Sequence, residues 1–490
     1  MNKKTYLILT LIVLVSGTIS FSLLTRGQTW LDDFAGYLMQ AKSILNGTMA
    51  DFVLRNSFTV TQSAYPPGPA AYPWGFPVLL AVVYAFLGNN VLAFQLVNTL
   101  CYALFLVVLF ALARTRLGDL ESLAVVSVLA FNPALLTAHN QIISDIPFLF
   151  FSTLAIFLID SFFRQKASPW WLSFAIGAAI FAACFMRTNG VLLLVPLFVA
   201  QAIQLWPQRH EKTTLMAGLK SAIVPYLVFG LLFAIQALIF PNGQDSYLSH
   251  FSMFSLPRLW ENLVFYLLLP STTFDQLPGG LVFYPLLMVF VIISLFTRRT
   301  RDLPIHLYSL VTVALFVVWP ERQGLRFIYP ILPFLFLFAL DGMNLLIGRV
   351  RTNWQGFSRL LLGCFWIVLV VLSLAVSSFA ARANLAANRA INGPFDPISA
   401  EMFTFIREQT PAQSVIIFFK PRAMRLFTDR NAFMTDRCQD LSKADYLALS
   451  QKVGDNGQIA PEAIGRCSNT GVKLAQVFTN KRFIVYKIDR

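Results

Sequence analysis

Apolar runs of 16 to 23 residues recur along most of this chain, each closed by a polar or basic turn. A helix rises 1.5 Å per residue, so about 20 residues cross about 30 Å of hydrocarbon. The runs therefore predict spanning helices over 5–24, 91–113, 120–138, 146–163, 170–186, 190–206, 219–240, 281–297, 304–319, 327–346 and 360–380. Trp74 to Gly88 is also apolar but shorter, and Pro73 and Pro77 interrupt it, which predicts an interfacial or re-entrant segment. From Asp33 to Leu45 the residues Phe34, Tyr37, Leu38, Ala41, Ile44 and Leu45 share one helical face, as in a helix lying along a membrane surface. After Ala381 the polar residues return and no later run could span a bilayer. Ser399 to Gln409 reads as a helix, and Ser414 to Phe419 and Arg482 to Ile488 read as strands.

The expected architecture is an all-α polytopic membrane domain over 1–380, with about eleven transmembrane helices and a first outer loop at 25–90. A small α/β extracytoplasmic domain is expected over 381–490. Composition agrees: 57% of residues are hydrophobic, 13% are charged, and the mean hydropathy is +0.64. The net charge of +14 comes from small basic groups between the runs, not from one basic face, so nucleic acid is not the expected partner. Arg114 with Arg116, Arg164 with Lys166, Arg209 with Lys212, Arg298 to Arg301, and Arg349, Arg351 and Arg359 all fall on one side of the membrane if the N-terminus is cytoplasmic. That bias sets the orientation and leaves the C-terminal domain outside. Counting Trp74 to Gly88 as a span would reverse it. The first run reaches Leu24 without a small-residue cleavage site, so it is expected to remain as a helix.

The outer connections hold the residues able to do chemistry. Asp32 and Asp33 follow the first span directly, and two adjacent carboxylates near lipid push one pKa upward, which suits a general base. The alternative is a solvated pair ending a helix. Asp145 follows Ser144 in a short outer turn, where it could cap the next helix, bind a metal or orient an acceptor. His139 is expected at the same turn, with an acceptor- or metal-positioning role beside the simpler reading of a loop histidine, which also covers His250. Neither belongs to a His-x-x-x-His pair or a cysteine cluster, so a dedicated zinc site has no support, while a divalent metal on the carboxylates stays open. Arg187 lies at another outer turn and Glu321, Arg322 and Arg326 at a fourth. Guanidinium groups so placed could bind a phosphate, or extend to lipid headgroups. There is no glycine-rich nucleotide loop. Cys101, Cys184 and Cys364 sit in apolar runs, whereas Cys438 and Cys467 share the outer domain and could form a disulfide there.

Asp32-Asp33-Phe34-Ala35-Gly36-Tyr37, continuing to Ala41, Leu45 and Gly47, resembles the first-loop signature of GT-C membrane glycosyltransferases. More specifically, it looks like glycosyltransferase family 39 and its bacterial relatives, which include protein O-mannosyltransferases and lipid A aminoarabinose transferases. Tyr72-Pro73-Trp74-Gly75-Phe76-Pro77, Ser144-Asp145-Ile146-Pro147, Arg187-Thr188-Asn189-Gly190 and Arg326-Phe327-Ile328-Tyr329-Pro330-Ile331-Leu332-Pro333 fit the family's later elements in order. The pattern departs at Asp33, where glutamate is common. The resemblance implies an enzyme of the bacterial inner membrane. Such an enzyme moves a hexose or pentose from a polyprenyl-phosphate donor to a glycan, lipid or protein acceptor on the outer face, lipopolysaccharide among the acceptors. In that frame Asp32 is the expected base, acting with inversion. Asp33, Asp145 and His139 support it, and Arg326, Arg322 and Arg187 bind the donor phosphate. The competing reading is a transporter or lipid-linked-sugar flippase, which about eleven helices with ionisable ends could also form. Few acidic residues fall mid-span and no inverted repeat is apparent, and both observations weigh against it.

Overall fold

The computed structural model describes residues 3–165, 169–243, 255–298, 300–322, 324–451, 457–470 and 472–489. His250, Lys166 and Arg299 lie outside the described residues. The helices of the first part run in order as α1 (Lys3–Leu23), α2 (Asp33–Asn46), α3 (Met49–Gln62), α4 (Gly75–Leu87), α5 (Val91–Arg114), α6 (Asp119–Phe131) and α7 (Pro133–Thr137). They continue as α8 (Asp145–Arg164), α9 (Trp170–Met186), α10 (Leu194–Leu205), α11 (Lys212–Ile239), α12 (Leu256–Leu268), α13 (Gly280–Arg298), α14 (Leu303–Val318), α15 (Leu332–Ile347) and α16 (Thr352–Ala386).

Among the described residues seven stretches, built on α1, α5, α8, α10, α11, α13 and α16, are long and apolar enough to cross a membrane. The bent pair α6–α7 makes up to eight. Its bend of 46° falls where Asn132 accepts from the Leu135 N–H and Pro133 opens the new helix without a donor. The remaining three expected spans are the shorter apolar helices α9, α14 and α15. The segment kept out of the count is α4, of 13 residues. Helices α1, α5, α6 and α16 pack together, as do α8 with α9 and α13 with α15.

At the end of the bundle carrying the basic turns, four charged side chains are bonded together. Arg116 donates to Asp160 (2.6 and 3.0 Å) and Asp302 (2.7 Å), and Arg164 to the same two carboxylates (2.8 and 3.0 Å). Asp160 and Asp302 are buried, so the pairing is what makes their charge tolerable there. It joins the ends of α5 and α8 to the start of α14.

Helix α2 does not rest its apolar face on lipid, as its periodicity suggested. Phe34, Tyr37, Leu38 and Ala41 are buried, and α2 packs against α4, α3 and a helix of the C-terminal domain, leaving Leu45 exposed. Gly47 ends it in the left-handed region at φ 68°.

Helix α16 runs on to Ala386, past the composition change, before the chain enters the C-terminal part. There α17 (Pro397–Gln409) and α18 (Pro421–Thr428) pack with strands β1 (Val415–Ile417), β2 (Asn431–Phe433), β3 (Tyr446–Ser450), β4 (Lys473–Thr479) and β5 (Phe483–Asp489). The sheet order is β2-β1-β3-β5-β4, with β1 parallel to β2 and β3, and β5 antiparallel to β3 and β4. Asp396 caps α17 by accepting from the Ser399 N–H at 2.8 Å. Cys438 and Cys467 are joined as a disulfide. Trp30, from the segment before α2, inserts into this domain's aromatic cluster, with ring centroids 5.1 Å from Phe419 and 5.9 Å from Phe418.

Candidate active site

A cavity of about 520 Å³ opens where α2, the 66–73 loop, the start of α8, the 186–192 turn, the end of α14 and the 319–327 turn meet. Asp33, Tyr37, Tyr72, Ser144, Arg187, Asn189, Glu321 and Arg326 supply polar groups to it, and Val191, Leu192, Leu315, Phe316 and Phe327 an apolar wall.

Each charged group arrives by a local device. Asp33 opens α2, and Asp145 opens α8 with its carboxylate near the positive end of the helix dipole. Arg187 ends α9, where the chain turns into a 3-10 stretch, and Gly190 lets that stretch lie against the backbone of Cys184. Arg326 stands on the short 3-10 turn Gly324–Phe327, fixed by Phe327 stacking on Phe316 with centroids 4.3 Å apart.

The four form one network. Arg326 donates to Asp33 Oδ2 at 3.0 Å and to Asp145 Oδ2 at 3.2 Å from Nε and 3.1 Å from Nη2. Arg187 donates to Asp145 Oδ1. Tyr72 donates its hydroxyl to Asp33 Oδ1 at 2.8 Å, and Tyr37 shares a hydrogen bond of 2.9 Å with Ser144. Asp145 is buried at 1% side-chain exposure, so its two oxygens bind arginines instead of capping α8, while Asp33 keeps 23% and faces the cavity. Burial pushes the Asp33 carboxyl upward, but the Arg326 charge and the Tyr72 hydrogen bond outweigh it and hold the group below its ordinary value.

Asp32, the expected base, points elsewhere. It does not line the cavity; its Oδ1 accepts from the Arg422 backbone N–H at 3.0 Å, and Oδ2 is buried without a hydrogen-bond partner. Desolvation lifts its pKa to about 6 against the charges of Arg422 and Lys420. Such a value suits a base, yet reach comes before pKa, and a carboxylate under the C-terminal domain meets no substrate in this cavity. Arg322 is also outside it, bonded to Glu261 (3.1 Å) and Asn262 (2.8 Å) of α12. His139 is fully buried, 2.5 Å from Ser20 through Nδ1 and packed on Tyr102, so it positions neither acceptor nor metal. Asp33 and Asp145 offer two carboxylates with a guanidinium between them, and the described residues hold no group of three His, Cys, Asp or Glu suited to an ion. The donor set does not fit the metal left open by the sequence.

Sequence reasoning quoted Tyr37, Tyr72 and Ser144 within motifs without giving them roles, and missed Arg422 altogether. Arg422 lies 390 residues from Asp32, and no local pattern distinguishes it from the other basic residues.

A family model described as dolichyl-phosphate-mannose-protein mannosyltransferase matches residues 71–240. No curated protein matches the sequence. Among solved structures, ArnT from Cupriavidus metallidurans in the apo state superimposes with a TM-score of 0.61 at 14% identity, covering 97% of each chain. The same protein bound to undecaprenyl phosphate gives 0.60 at 12% identity over 99% of this chain and 98% of that one. The apo oligosaccharyltransferase of Archaeoglobus fulgidus gives 0.56 at 9% identity over 91% and 69%. The fold is that of ArnT and of the archaeal oligosaccharyltransferase, the kind of fold the sequence resemblance implied. ArnT shares it over nearly its whole length, C-terminal sheet domain included.

Proposed function

We propose that this protein is a GT-C membrane glycosyltransferase that moves a sugar from a polyprenyl phosphate to an acceptor hydroxyl, with inversion. The observation carrying the proposal is that the Asp33 carboxylate and the guanidinium groups of Arg326 and Arg187 face one cavity that also has an apolar wall. An apolar wall suits the start of a lipid chain, cations suit its phosphate, and a carboxylate suits the incoming hydroxyl. That ArnT and an archaeal oligosaccharyltransferase have been solved with undecaprenyl phosphate and dolichol-phosphate supports a lipid-phosphate donor.

In the mechanism, Asp33 stays ionised at neutral pH and accepts the acceptor's hydroxyl proton as the oxygen attacks the anomeric carbon. The bond from that carbon to the phosphate oxygen breaks, and Arg326 and Arg187 take up the charge developing on the departing phosphate. A phosphate so stabilised leaves without a second acid, so one carboxylate suffices. Asp145 holds the two arginines at the cavity instead of meeting the substrate.

The finer assignments belong to the same proposal: kinship with family 39, transfer of a hexosyl or pentosyl group, the bacterial inner membrane with a cytoplasmic N-terminus, and lipopolysaccharide among the acceptors. The domain division at 1–380 and 381–490 is proposed with α16 carried across the boundary. The flippase reading fits less well, because the cavity's charges are paired at one end of the bundle instead of lining a path through it. The test is purified protein in proteoliposomes given radiolabelled polyprenyl-phosphate sugar and candidate acceptors. Label on the acceptor is expected; donor movement across the bilayer with the sugar bond intact would overturn the proposal.

A further inference from the structure

Arg422 is fully buried, yet it comes from the C-terminal domain, at the start of α18. Its guanidinium is spent on the outer loops of the membrane domain: Nη1 donates to Pro67 O at 2.8 Å and to the Tyr72 hydroxyl at 2.6 Å, Nη2 to Pro69 O at 2.6 Å, and Nε to Asn56 Oδ1 at 3.2 Å. Its carbon-centred charge stands 5.0 Å from the Tyr72 ring centroid. The nearest carboxylate contact, Asp32 Oδ2, is 3.8 Å from Nε, too long for a hydrogen bond. A charge buried in this way is costly, and an apolar side chain of similar size would hold two domains together as well.

We propose that Arg422 is a positioning residue of the active site, which orients the Tyr72 hydroxyl onto Asp33 and makes the C-terminal domain part of the catalytic apparatus. The inference rests on the transferase reading above. A phenol has a single hydrogen. Because its oxygen accepts from Arg422, that hydrogen is left for Asp33 Oδ1, which it reaches at 2.8 Å. Asp33 is thereby turned so that Oδ2 meets Arg326. Gly68, at φ 112°, permits the approach, since a Cβ there would lie 3.0 Å from the Tyr72 oxygen and 3.5 Å from Arg422 Nη1. The domain also grips the start of α2 directly, through Trp30 in its aromatic cluster and through Asp32 on the α18 N-terminal amide.

The groups facing Asp33 are Arg326 from the 324–327 turn, Tyr72 from the 66–73 loop, Arg422 from α18, and Asp32 and Tyr37 on its own helix; Asp145 shares Arg326 with it. Removing the Arg422 cation relieves one of the influences that lower the Asp33 carboxyl. The acidic limb of the rate profile, where the rate rises as the base ionises, then moves to higher pH.

The test is transfer by the protein in proteoliposomes, measured from pH 2.5 to 7, for wild type, Arg422→Met, Arg422→Lys and Tyr72→Phe, with thermal melting as a control. We expect the acidic limb of Arg422→Met and Tyr72→Phe to rise by about half a pH unit or more, with kcat falling more than KM rises. Arg422→Lys should restore the limb but not the full rate, since it keeps the charge without the fork. A brace between domains would lower yield or melting temperature and leave the limb in place. That result overturns the inference; if Arg422→Met fails to fold, Arg422→Gln, which keeps amide donors for the Pro67 and Pro69 carbonyls without the charge, is read in its place by the same limb. A wild-type protein inactive with every lipid-phosphate sugar would instead overturn the transferase reading.

Discussion

Replacing each of the two adjacent aspartates by asparagine separates the role of the cavity from that of the domain contact. In Asp33→Asn the shape is kept and the proton acceptor is lost. Loss of a general base slows transfer by about 10²–10⁴. Folding should be little affected, because Arg326 keeps both hydrogen bonds to Asp145, at 3.2 and 3.1 Å, and Asp33 is partly exposed. In Asp32→Asn the amide oxygen can still accept from the Arg422 N–H, now at 3.0 Å, and no cavity group is altered. That variant should remain within about tenfold of wild type, since a retained neutral acceptor loses only about 1 kcal/mol of hydrogen-bond strength. Initial rates of sugar transfer at saturating donor, on proteins matched for folded yield, measure both. A variant order reversed from this, or Asp33→Asn turning over near the wild-type rate, would remove Asp33 as the base and return the role to Asp32.

The other expectations concern the cations, protons, the disulfide and orientation. Arg326→Gln should lower kcat/KM for the donor by about 10²–10³, with Arg326→Lys intermediate, as steady-state kinetics against donor concentration would register. Desolvation raises Asp32 from 3.8 to about 6, so between those values the folded protein holds a proton that the unfolded chain has released, and stability falls as pH rises through the window. The loss is on the order of 3 kcal/mol, and melting curves should show Asp32→Asn gaining on wild type from pH 4 to 6.5 and level above. Reduction of the Cys438–Cys467 disulfide, which closes a separation of 29 residues, should destabilise the C-terminal domain by about 3.6 kcal/mol, read as a melting shift with and without reductant. Single cysteines at Arg349→Cys and Lys473→Cys, in a background lacking the native thiols, should label from opposite sides of the membrane; labelling from one side would reverse the proposed orientation.

The spans were legible because lipid leaves the backbone few options: apolar runs of the right length become helices wherever they occur. Each expected span contains an α-helix, although that of 327–346 starts only at Leu332, and Asn132 and Pro133 bend another, a break signalled in the sequence but not read there. At the site, Asp145, Arg187 and Arg326 were legible from their order on one face. The choice between Asp32 and Asp33 was not. Neighbouring residues on a helix point about 100° apart, and which one faces the cavity depends on how α2 docks under a helix nearly 400 residues later. Arg322 and Arg326 posed the same difficulty: the turn between α14 and α15 sends one to α12 and the other to the cavity. His139 belonged to a sequence turn that tertiary packing closed over.

The four-charge cluster at the far end of the bundle also joins parts of the chain that are made far apart in time. Arg116 and Asp160 leave the ribosome first and can pair once α8 is inserted, but with Arg164 they carry one positive charge too many. Asp302 follows 138 residues after Arg164, and with it two arginines face two carboxylates and the sum is zero. Asp302 thus completes the pairing of two arginines that lie more than a hundred residues earlier, and fastens the start of α14 to the ends of α5 and α8. Without Asp302, Arg116 and Arg164 would share the single carboxylate of Asp160 at that end of the bundle.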